Sequence, residues 1–104
     1  MHDGRAATWL AGIMGRRKRL WGFEEDERCI LLEATASIPA LQAVVNRAVQ
    51  RPELGGVWVV TATVRELDEM YSLIEALMDG TRSRKRLELL DGMLATLCTS
   101  IDGF

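Results

Sequence analysis

Apolar positions recur along the second half of the chain at alternating spacings of three and four. Val57, Val60, Val64, Leu67, Tyr71, Ile74 and Met78 form one series, and Leu87, Leu90, Leu94, Leu97 and Ile101 form another. Such a repeat belongs to helices that keep one stripe toward a neighbour. It predicts a first helix over about residues 57–79, roughly 33 Å long for some 22 residues, and a second over about 82–101. Asp79-Gly80-Thr81 between them supplies a stop, a turn residue and a new cap. A connection this short makes the two helices antiparallel.

Residues 57–64 carry a competing signal. The stretch is rich in β-branched side chains and alone reads as a strand. A strand needs a partner, and only residues 28–34 offer one, which gives an α+β alternative with short strands near 28–34 and 57–63. The helical reading is preferred because the stripe crosses the supposed strand–helix boundary without losing register. Two features sit poorly with it. Trp58 points away from the stripe, and Thr63 with Glu66 has the spacing of a capping box, which starts the helix later.

Upstream, residues 23–35 place acids in a first turn and set Glu24 four before Arg28, which predicts a short helix. Residues 38–50 predict another, with Ser37 as cap, Pro39 in the first turn and a break at Pro52 and Gly55-Gly56. Residues 1–22 are apolar and basic with interrupting glycines, so they are read as flexible or peripheral. The expected fold is all-α: one helical domain over 1–104, an antiparallel long-helix hairpin packed with shorter N-terminal helices.

The apolar arc of the first long helix covers on the order of 160°, too wide for one neighbour. A homodimer with two-fold symmetry is therefore expected. Its interface candidates are Val60, Val64, Leu67, Tyr71, Ile74, Leu90, Leu94 and Leu97.

Composition fits a folded domain, with 48% hydrophobic and 27% charged residues over 104 positions. A net charge of −2 gives the chain as a whole no pull on nucleic acid. The charges are clustered, however. Residues 16–19 (RRKR) and 82–86 (RSRKR) hold eight of the thirteen basic side chains, and residues 24–27 (EEDE) form an acidic block. Arg82, Arg84, Lys85 and Arg86 open a helix, where each cation opposes the helix dipole by about 0.3–1 kcal/mol. They are candidates for anion or nucleic-acid contacts, or for pairing with the acidic block. The cluster at 16–19 lies between tryptophans, as on membrane-surface helices. Arg17 nevertheless falls inside the apolar arc and leaves no clean face for a bilayer.

Enzyme chemistry has little to work with. The one histidine, His2, excludes zinc sites built on histidine pairs. Gly55-Gly56 lacks the companions of a phosphate loop, and Asp68, Glu69 and Glu75 fall on an outward helix face. Cys29 and Cys98 show no metal or redox spacing. No catalytic, cofactor or metal residues are assigned. No window is long and apolar enough to span a bilayer, and a cytoplasmic location is expected. The expected function is a non-enzymatic protein-interaction or regulatory module that self-associates. The alternative is a nucleic-acid-binding regulator using residues 82–86.

Overall fold

The computed structural model describes residues 17–103. In chain order its elements are β1 (Lys18–Phe23), α1 (Glu25–Ala34), α2 (Pro39–Arg47), β2 (Val49–Arg51), β3 (Val57–Thr63), α3 (Val64–Asp79) and α4 (Arg84–Asp102). A single 3₁₀ turn, Pro52–Leu54, follows β2. The three strands form an antiparallel sheet in the order β1-β3-β2. The fold is α+β, and the all-α expectation is wrong.

The correction centres on Val57–Thr63, which is the middle strand and not the start of a helix. Trp58, Val60 and Ala62 share one face, and the latter two are buried. Val57 and Val59 share the other. With both faces apolar, the period of two vanishes into a continuous apolar run, and a helical spacing can be drawn through it. The strand alternative had the right segment and the wrong partner. Residues 28–34 are helical, within α1, while β3 pairs with β1 and β2.

The helical hairpin exists in shortened form. Thr63 caps α3: its hydroxyl accepts from Glu66 N–H at 3.1 Å, and the Glu66 carboxylate accepts from Thr63 N–H at 2.9 Å. A cap of this kind is worth about 1 kcal/mol, and here it converts a strand into a helix with no intervening loop. The second helix starts at Ser83, whose hydroxyl accepts from Arg86 N–H. Thr81, expected as a cap, instead donates to the Leu77 carbonyl. Likewise Ser37 gives way to Ile38 as the residue ahead of Pro39 in α2.

The four described helices lie on one side of the sheet. Leu67, Met70 and Ile74 from α3 and Leu90, Met93 and Leu97 from α4 meet Trp21, Phe23, Val60 and Ala62 from the sheet. The chain thereby buries its helical stripes within itself, and Thr35, the one buried polar residue among those described, is satisfied by donating to Leu31 C=O at 2.7 Å. Expectations for residues 1–16, including the tryptophan-flanked basic helix, lie outside the described residues except at its end. Lys18 to Gly22 are strand.

Candidate interaction surface

β1 is an edge strand, and the direction of its backbone groups follows from one hydrogen bond. Val64 N–H donates to Arg17 C=O at 2.8 Å, which makes Arg17–Val64 a hydrogen-bonded antiparallel pair. Bonded pairs recur every second residue, so Arg19, Trp21 and Phe23 face β3 through Ala62, Val60 and Trp58. Lys18, Leu20 and Gly22 must turn their N–H and C=O groups the other way. Among the described residues no backbone partner meets them, and the one side-chain partner is the Arg19 guanidinium, which donates to Lys18 C=O at 3.4 Å. An independent contact supports the phase: Thr61, predicted to face away from β1, accepts at its carbonyl from the Arg47 guanidinium at 3.1 Å.

Beside this edge runs a groove of about 670 Å³. Gly22 and Phe23 form one wall, and Gly92, Ala95, Thr96 and Thr99 of α4 form the other. Trp21 ties the two together, its indole N–H donating to Thr96 Oγ1 at 3.0 Å. The helical wall has no side chain larger than threonine, so the edge is approachable along its side. Glu24 and Glu27 close one end. Burial raises the Glu27 carboxyl above its ordinary range, and the neighbouring Glu24 and Asp26 add to it, against the Glu24 N–H that it accepts at 2.8 Å.

Among the described residues no helix covers the outer face of the sheet. Leu20 is 66% exposed and Val49 62% exposed, and with Val59, Thr61, Arg47 and Arg51 they line a shallow depression. This face adjoins the β1 edge at Leu20, forming one continuous surface of apolar and cationic groups.

The residues predicted from sequence fall elsewhere. Val60, Leu67, Ile74, Leu90 and Leu97 are buried in the core of one copy, and Val64, Tyr71 and Leu94 are half-buried. Their arcs are wide because they pack on a sheet as well as on each other. Arg82, Arg84 and Lys85 are exposed at the α3–α4 turn, with Arg86 half-buried beside them. No ion pair among the described residues involves these four, so pairing with the acidic block, one of the possibilities raised by the sequence, is not made within the described residues. Glu25 of that block bonds Arg28 instead, whose guanidinium lies 4.1 Å above the Trp58 ring.

Glu66 is spent on structure. It caps α3 and pairs with Arg47 at 3.2 Å. Burial pushes its carboxyl up, but the Thr63 and Arg47 hydrogen bonds outweigh this and hold it below the usual range. Cys29 and Cys98 are free and exposed. Among the described residues no three His, Cys, Asp or Glu side chains gather as a metal site. No described helix is long and apolar enough to cross a membrane. Set against family models, curated proteins and solved structures, the chain matches none.

The edge and groove escaped sequence reasoning, although a signal was present. In Trp21-Gly22-Phe23, two aromatics alternate across a residue with no side chain, which is the spacing of a strand buried on one face only.

Proposed function

We propose that this protein is a non-enzymatic interaction module that engages an extended protein segment by strand addition along β1. The observation that carries the reading is the outward set of backbone groups at Lys18, Leu20 and Gly22, lying beside a groove whose helical wall is built of small side chains. Added strands gain affinity from main-chain hydrogen bonds and specificity from alternate side chains. Here one set of side chains would meet the Leu20 face and the other would enter the groove. Native proteins usually blunt an edge of this length with charge, bulges or a cover. Lys18 and Arg19 guard the start of β1, whereas its centre is apolar.

Leu20→Pro tests this without attacking the fold. Its N–H points away from β3, so proline deletes an outward donor and leaves the ladder intact. With the domain immobilised sparsely enough that copies cannot meet, a random-peptide library is expected to yield extended binders. Their affinity should fall about tenfold or more on Leu20→Pro and be unmoved by Arg84→Glu. An empty screen, or binders indifferent to Leu20→Pro, rejects strand addition.

A second reading keeps nucleic acid, on the strength of four cations in five positions with no described counter-charge. It requires binding that weakens steeply with salt and with Arg84→Glu. No shift of DNA or RNA at low salt removes it.

A further inference from the structure

We propose that the strand added to β1 is β1 of a second copy, paired antiparallel about a two-fold axis at Leu20, so that two three-stranded sheets become one of six. The proposal rests on the strand-addition reading above and names the partner.

The unspent backbone groups select the register. With the axis at Leu20, Lys18 stands opposite the partner's Gly22, Leu20 opposite the partner's Leu20, and Gly22 opposite the partner's Lys18. Each is an outward residue facing an outward residue, so three pairs with two bonds each engage the outward backbone groups described at this edge, the Lys18 carbonyl exchanging its 3.4 Å contact with the Arg19 guanidinium for one of them. A slip of one residue sets outward groups against groups already bonded to β3. A slip of two toward the acidic end recruits Glu24, whose N–H is held by Glu27 and whose carbonyl accepts from Arg28 N–H. The register centred on Leu20 avoids both.

Charge selects a copy of this strand over an arbitrary one. β1 begins with Lys18 and leads into Glu24, so antiparallel pairing brings opposite charges together at both ends. Lys18, opposite the partner's Gly22, thereby stands two positions from the partner's Glu24, and Gly22 has no side chain to intervene. A parallel copy would set Lys18 against the partner's Lys18.

Packing agrees on both faces. Leu20, the most exposed large apolar residue described, meets the partner's Leu20. Beneath the joined strands the exposed side of α4 presents Gly92, Ala95, Thr96 and Thr99, which let a second α4 approach closely.

The test uses the full chain with both native thiols removed (Cys29→Ser, Cys98→Ser) and one cysteine added. Directly opposed residues of a bonded pair lie about 5.5 Å apart at Cα, within disulfide range. Leu20→Cys should therefore cross-link to a dimer under mild oxidation. Lys18→Cys should not, because its counterpart lies four positions along the strand, about 13 Å away. Sedimentation of the wild type at tens of micromolar should give twice 11.6 kDa, and Leu20→Pro should return it to the monomer. A wild-type monomer with no Leu20→Cys link, or Lys18→Cys linking as readily, overturns the pairing. If that monomer, sparsely immobilised, still selects strand peptides sensitive to Leu20→Pro, only the identity of the partner falls. If it selects none, strand addition falls as well.

Discussion

Replacing Trp21 with alanine is expected to remove about 3–5 kcal/mol of folding stability, read as a fall in the denaturant midpoint. Trp21 is 1% exposed and stands where the sheet meets α4. Its ring lies 4.9 Å from that of Phe23, tilted by 55°, and its indole N–H is bonded to Thr96. Truncation would empty a large volume, break an aromatic pair and leave the Thr96 hydroxyl without that donor. A small domain holds about 5–15 kcal/mol in total, so the loss is a large fraction of the whole. Leu20, the neighbouring residue on the opposite face, should cost less than about 0.5 kcal/mol when cut to alanine in the monomer. The contrast between adjacent residues is the signature of a strand buried on one side. Equal effects at the two positions would mean that β1 is not seated on α4.

Val60→Pro should be at least as damaging. Val60 is buried in the central strand, and its N–H faces β1 in the bonded pair with Trp21. Proline removes that donor, fixes φ and discards a packed valine, at a cost of about 3 kcal/mol or more. Loss of the cooperative thermal transition is the expected result. A mild effect would contradict a buried central strand at this position.

The helices were legible because each shows its period on a single face. Leu67, Met70 and Ile74 in α3, and Leu90, Met93 and Leu97 in α4, repeat at three and four and are all buried. The sheet was not, for three local reasons. Val57 to Val60 are apolar on both faces, so alternation is lost. Val49–Arg51 is three residues long, too short to show any period, and lies where α2 was expected to continue. Lys18–Phe23 opens on charged residues and contains Gly22, which together resemble a loop. The deciding clue was the pair Thr63 and Glu66, since a capping box marks where a helix begins. Gly55 and Gly56, with φ of 78° and 84°, form the hairpin turn immediately before β3. The candidate surface was hidden for a related reason. An unpaired strand edge is a property of backbone direction, and no side-chain pattern reports it directly.

Amide hydrogen exchange along β1 tests the free edge most directly. At low concentration Arg19, Trp21 and Phe23 should exchange slowly, while Lys18, Leu20 and Gly22 exchange fast, alternating residue by residue. Raising the concentration should slow Lys18, Leu20 and Gly22 and leave the Leu20→Pro variant unchanged. Uniform exchange along the strand, or fast exchange at Leu20 and Gly22 at every concentration, would contradict an edge that pairs with another copy.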